Sequence, residues 1–138
     1  MLPRRFHIMV VDRHPAVRML ICSQLRGLGY DTLSCAQDGA SALARLKIEP
    51  IDAVLMDVES SSGGMEALAA LRADPALRDL PVVVITTRAE QETVTASLAL
   101  GVSGYLIKPP SAAAIGACLR RALQGRGDSG RVEIAAAS

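Results

Sequence analysis

Four residues of types that do chemistry stand where apolar runs stop. Asp57 ends the run Ala53-Val54-Leu55-Met56. Asp12 follows Ile8-Met9-Val10-Val11, Thr86 follows Val82-Val83-Val84-Ile85, and Lys108 follows Gly104-Tyr105-Leu106-Ile107. Short apolar runs bounded by polar residues read as strands buried on both faces. A charge at the end of such a strand is rarely kept there unless it is paired, metal-bound or reactive. Asp57 is therefore a candidate for pairing, metal binding or covalent chemistry. Asp12, Thr86 and Lys108 can reach it only if the strands lie parallel, so that their carboxyl ends meet.

The segments between these runs supply the helices that such an arrangement needs. A strand over Phe6 to Val11 leads to His14-Pro15, a cap followed by proline at the first helical position. Val17, Leu20, Ile21, Leu25 and Leu28 follow at helical spacing, and Gly27 and Gly29 close the helix. Tyr30 to Ala36 reads as a second strand. Asp38-Gly39 opens a helix with Ala42, Leu43, Leu46 and Ile48 on one face, stopped by Pro50. The strand that carries Asp57 comes next. Glu59-Ser60-Ser61-Ser62-Gly63-Gly64 reads as a flexible loop. A helix with Met65, Leu68 and Leu71 inward ends at Asp74-Pro75. The fourth strand, a helix over about Ala89 to Leu100, the fifth strand and a helix capped by Ser111 complete the pattern. Five repetitions of strand and helix mean a parallel sheet with helices on both faces. Ligands of such sheets sit beyond the strands' carboxyl ends, where the four polar residues gather. Asp52, at the other end of the Asp57 strand, lies roughly 16 Å away at ~3.3 Å per residue and reads as structural.

The 138 residues suit one domain, read as 1–124 with a flexible tail over 125–138. The composition is 50% hydrophobic but only 2% aromatic, so the core is aliphatic and no base-stacking platform can be built. A net charge of +1 gives no electrostatic argument for nucleic acid or an anionic membrane. No segment approaches the ~20 apolar residues of a membrane span, and the first apolar run is too short for a signal peptide. A soluble, cytoplasmic protein is expected, with Cys22, Cys35 and Cys118 as buried reduced thiols. His7 and His14 read as a strand-edge residue and a cap.

The order and spacing of these pieces resemble the receiver domain of bacterial two-component response regulators, of the chemotaxis-receiver type, over about residues 6 to 124. The residues that carry the resemblance are Val10-Val11-Asp12, Asp57, Pro81 through Thr86, and the most specific block, Gly101 to Pro109. The resemblance implies a flavodoxin-like α/β fold, a five-stranded parallel sheet of order 2-1-3-4-5 with five helices in three layers. It implies a signalling domain, not an enzyme beyond its own phosphorylation and dephosphorylation. Asp57 resembles the phosphoacceptor, which takes the phosphoryl group from a phosphohistidine to form an acyl phosphate. Thr86 looks like the hydroxyl that contacts the phosphoryl group, with Thr87 beside it as an alternative. Lys108 looks like the cation paired with the carboxylate, and Tyr105 like the aromatic whose position follows the threonine. The Lys108-Pro109 bond is expected to be cis, the isomer that only X–Pro bonds adopt cheaply. Asp12, Asp57 and the Glu59 backbone carbonyl would hold Mg²⁺, which seeks oxygen ligands.

The chain departs from the family pattern in two places. Arg13 stands where a second acidic residue is usual, so Mg²⁺ binding is expected to be weak. Arg13 either enters the site and pairs with Asp57 or points into solvent. The Ser-Gly loop replaces a usual Met-Pro turn, which reads as a gain in freedom. The partners implied are a sensor histidine kinase or phosphotransfer protein, and a downstream protein on the face of the fourth helix, fifth strand and last helix. The residues after Leu123 are too few and too irregular to read as an output domain, so a stand-alone receiver is expected. The small residues of the last helix leave a homodimer open. Two further classes compete with phosphoacceptance: a phosphorylation-independent pseudo-receiver held by Arg13 and Lys108, and a small flavodoxin-fold enzyme. The enzyme is disfavoured because neither a Gly-rich phosphate loop nor a nucleophile elbow is present.

Overall fold

Both faces of a helix-covered parallel sheet are buried, so its central strands should be apolar at every position and its edges should not. The computed structural model, which describes residues 5–59, 61–87 and 91–124, follows this rule. Strands β1 (His7–Val11), β3 (Ala53–Asp57) and β4 (Val82–Thr86) are buried almost throughout, whereas β2 (Thr32–Ala36) and β5 (Gly104–Ile107) are partly exposed. The order is β2-β1-β3-β4-β5 and every pairing is parallel. Among the described residues, five helices cover the sheet: α1 (Pro15–Gly27), α2 (Gly39–Leu46), α3 (Gly64–Ala73), α4 (Gln91–Leu98) and α5 (Ala112–Ala122). This is the expected flavodoxin-like arrangement.

Alternation along the strands divides the core in two. Ile8, Val10, Leu55, Val83 and Ile85 face α1 and α5, meeting Ile21, Leu25, Ile115 and Leu119. Met9, Val11, Val54, Met56, Val82 and Val84 face α2 and α3, meeting Ala42, Leu46, Leu68 and Leu71. Each fully buried Val, Leu or Ile contributes about 1.5–3 kcal/mol, enough for the pattern to fix the register.

Several local expectations change. Helix α2 stops at Leu46, and Ile48 is 81% exposed rather than on its apolar face. The N–H groups of Ile48 and Glu49 both donate to the Arg45 carbonyl, and the Glu49 carboxylate pairs with Arg45 and accepts from Ser34 Oγ on β2. These bonds close the last turn of α2, and Ile48 beyond it faces solvent. His14 occupies the cap position of α1 but makes no side-chain cap bond; its N–H donates to Asp12 Oδ1 at 2.9 Å. By contrast, Asp38 Oδ1 and Ser111 Oγ accept from the Ser41 and Ala114 N–H groups and cap α2 and α5. Cys22 and Cys118 are buried, but Cys35 is exposed, because β2 is an edge strand. Ser60, Ala89, Glu90 and the tail read over 125–138 lie outside the described residues. No helix among the described residues is long and apolar enough to cross a membrane.

Candidate functional site

Parallel pairing brings the ends of β1, β3, β4 and β5 to one edge. Val11 lies opposite Met56, Asp57 opposite Ile85, and Thr86 opposite Ile107, so Asp12, Asp57, Thr86 and Lys108 leave the sheet together. Asp12, Asp57 and Thr86 are fully buried. The Lys108 side chain, 12% exposed, brings its Nζ to 2.9 Å from Asp12 Oδ2, 3.6 Å from Asp57 Oδ1 and 2.6 Å from Glu59 Oε2. Three carboxylates thus share one ammonium. Glu59 was read from sequence only for its backbone; its side chain is the closest partner of Lys108. Nothing in the loop's composition distinguishes that role from a solvated acid.

The two oxygens of Asp57 differ. Oδ1 accepts the Glu59 N–H at 2.9 Å and faces Lys108, whereas Oδ2 is buried without a hydrogen-bond partner. Burial raises the Asp57 carboxyl above its ordinary range, the Asp12 and Glu59 charges add to this, and the Glu59 N–H and Lys108 oppose it. For Lys108, burial favours the neutral amine, but Glu59, Asp12 and Asp57 together hold it above its ordinary value. A buried carboxylate with one oxygen fixed and one free is positioned as a nucleophile or a cation ligand.

The fit to a divalent cation is partial. Asp12 Oδ2 and Asp57 Oδ2 are buried and lack hydrogen bonds, and Asp12 Oδ2 meets Lys108 only as an ion pair, which suits an oxygen-seeking cation. The Glu59 carbonyl does not fit as well, since it already accepts the Ser62 N–H at 2.9 Å and lies 2.7 Å from Ser62 Oγ. Arg13 is exposed and, among the described residues, pairs with neither Asp12 nor Asp57.

The loop after Asp57 is not the loose segment its composition suggested. Ser62 is buried, its Oγ lies 2.9 Å from the Asp57 carbonyl oxygen, and it accepts the Gly64 N–H at 3.0 Å. The Ser62 carbonyl accepts the Gly39 N–H at the start of α2. Gly63 takes φ 73°, and a Cβ on Gly64 would sit 2.0 Å from the Asp57 carbonyl oxygen. Glycine here permits close approach to the phosphoacceptor candidate's backbone rather than free movement. Serine in such a stretch looks like a linker residue in sequence, because its buried partners are set by tertiary packing.

The remaining candidates sit at the rim. Thr86 Oγ1 lies 3.4 Å from its neighbour's carbonyl, and the Thr86 carbonyl accepts the Lys108 N–H at 2.8 Å. Tyr105 is turned outward, 49% exposed. The Lys108–Pro109 bond is cis.

With that geometry in place, similarity to known proteins is decisive. The family model of the response regulator receiver domain matches residues 8–120. The chain belongs to the response regulator receiver family. It is 35% identical over 115 residues to the chemotaxis protein CheY-3 of Vibrio cholerae serotype O1, covering 83% of this chain and 88% of that protein. Among solved structures it resembles chemotaxis response regulator CheY4 of Vibrio cholerae, with TM-score 0.76, 26% identity, and coverage of 87% of this chain and 100% of that one. A sensor protein from Polaromonas sp. JS666 is similar at TM-score 0.78 and 28% identity, covering 87% and 97%. Receiver domains are signalling domains of bacterial two-component systems, work with histidine kinases or phosphotransfer proteins, and generally bind Mg²⁺ in an acidic pocket. In this chain the buried acids at the sheet's carboxyl edge are Asp12 and Asp57.

Proposed function

We propose that this receiver accepts a phosphoryl group on Asp57 from a sensor histidine kinase or phosphotransfer protein and signals by changing conformation. The observation that carries the reading is Asp57 Oδ2, a buried carboxylate oxygen without a hydrogen-bond partner, beside a lysine shared by three acids. The Asp57 carboxylate attacks phosphorus, the histidine nitrogen leaves, and an acyl phosphate forms. Burial makes this carboxylate more basic than an exposed one, which strengthens it as a nucleophile. Glu59 and Lys108, the part-exposed members of the cluster, swing aside to admit the phosphoryl group. Lys108 then pairs with the new anion, and Thr86 turns its hydroxyl from the weak 3.4 Å contact toward it. Asp12 and Asp57 are the side chains that would hold Mg²⁺, which when bound would supply compensating charge for the phosphoryl oxygens.

The readout surface is α4, β5 and α5. Tyr105 and Ile107 are both exposed on β5, an edge strand, and Tyr105 moves inward in this reading as Thr86 turns. A downstream protein on this face reads the state in the cytoplasm. Residues 1–124 form the functional domain in this reading.

The test is incubation with a small acyl phosphate and Mg²⁺, followed by intact mass measurement. Wild type gains one phosphoryl group and Asp57→Ala gains none. No uptake by wild type overturns the proposal in favour of a phosphorylation-independent interaction module, and uptake by the variant overturns Asp57 as the acceptor. Arg13→Asp returns a carboxylate to the rim and tightens Mg²⁺ binding on the order of tenfold. Equal affinity in the two proteins, measured by calorimetry, rules out Arg13 as the cause of weak binding.

A further inference from the structure

The phosphoacceptor site uses neither Cys22 nor Cys35, yet their sulfurs lie 3.4 Å apart. Cys22 is on α1, buried; Cys35 is exposed on the edge strand β2. The two positions are 13 residues apart in the chain, with a helix end, a turn and a strand between them. Their contact is therefore a product of the fold. The third thiol, Cys118 on α5, has different neighbours, with the Tyr105 carbonyl at 4.0 Å and Arg121 Nη2 at 3.8 Å.

We propose that Cys22 and Cys35 form a reversible dithiol–disulfide site whose oxidant is a peroxide. A disulfide has sulfurs about 2.05 Å apart, so closure from 3.4 Å needs a movement of about 1.4 Å. The exposed Cys35 meets the oxidant first. Its thiolate attacks the peroxide, the O–O bond breaks, and a sulfenic acid and water are left. Cys22 then attacks that sulfur, the S–O bond breaks, and the departing oxygen leaves as a second water with the Cys22 proton. Two thiols and one hydrogen peroxide give one disulfide and two waters. Burial first, and then the Cys35 sulfur beside it, push the Cys22 thiol up to about 11, which keeps Cys22 protonated and leaves the first attack to Cys35.

The position gives this site its interest. Ala36, next to Cys35, accepts the Asp12 N–H through its carbonyl at 3.1 Å. Arg18, one turn before Cys22, donates to the Asp12 carbonyl at 2.6 Å. The disulfide would join the two elements that hold the Asp12 backbone.

The test treats the folded protein with graded hydrogen peroxide, blocks remaining thiols with an alkylating agent, and measures intact mass before and after a reductant. The expected product is a monomer lighter by two hydrogens that carries one alkyl group, on Cys118. Trypsin cuts after Arg18, Arg26 and Arg45, so peptides 19–26 and 27–45 should appear joined and separate on reduction. The Cys118→Ser variant should form the same link. A bond to Cys118, intermolecular dimers alone, sulfinic or sulfonic acid on Cys35 with Cys22 still alkylated, or three alkylated cysteines at peroxide levels that oxidise free glutathione would each overturn the assignment.

Discussion

Strand β3 is flanked by two buried aspartates with opposite circumstances. Asp52, just before its amino end, accepts the His7 N–H on Oδ2 at 2.8 Å, and its own N–H donates to the His7 carbonyl at 2.8 Å. It ties β1 to β3. Asp57, at the carboxyl end, leaves Oδ2 without a hydrogen bond and shares Lys108 with Asp12 and Glu59. A buried acid costs little when backbone donors meet it and much when other acids surround it. The sheet therefore has a satisfied end and an under-satisfied end, and the phosphoryl chemistry proposed above falls at the second. Burial alone does not separate the two residues; their partners do.

Removing the shared cation should give the largest effect on stability. Lys108→Ala leaves three carboxylates facing one another and is expected to cost about 3 kcal/mol at pH 7, read by urea unfolding. The Lys108 pKa is raised in the folded state, so its contribution is fully present below 10.5 and is lost as pH rises through the folded value. The deficit of the variant should hold through neutral pH and shrink in strong base. A deficit below about 0.5 kcal/mol at pH 7 would mean that the cluster is no more than a surface ion pair.

Asp52→Ala comes next. It removes the acceptor of a part-buried backbone N–H, at about 1–3 kcal/mol, and should leave phosphoryl uptake on Asp57 intact. Loss of uptake at unchanged fold would break the distinction between the two ends of the strand.

The sheet and most of the site were legible in sequence for one reason. A strand buried on both faces must be apolar throughout, so the first polar residue after each run marks an end, and parallel order brings the ends together. Asp12, Asp57, Thr86 and Lys108 emerged in this way. What was not legible depends on contacts without a period. The Glu59 carboxylate reaching Lys108, the Ser62 hydroxyl buried against the Asp57 backbone, and the Cys22–Cys35 approach all arise where loops or different elements meet. Ile48 failed for a related reason: helical spacing continued in the sequence past Leu46, where α2 ends, while Glu49 beyond it is held by Arg45 and Ser34. Arg13, open in sequence between site and solvent, lies exposed.

Asp57→Asn gives the smallest effect and the most specific one, because its sign is opposite to that of the other two. The amide keeps the size of the carboxylate and an oxygen for the Glu59 N–H, but carries no charge among Asp12 and Glu59. The folded-state pKa of Asp57 is raised, so its stabilising contribution is present below the ordinary value of 3.8 and is lost as pH rises through the folded value. Wild type therefore carries a penalty at neutral pH that the variant lacks. The variant should be more stable by about 1 kcal/mol at pH 7, a rise of a few degrees in Tm, with the advantage fading as pH falls through the raised folded value, where wild-type Asp57 takes its proton, and gone below 3.8. Phosphoryl uptake should be lost at the same time. A variant less stable than wild type at pH 7 would place Asp57 with Asp52, as an acid that the fold needs rather than one that it tolerates for chemistry.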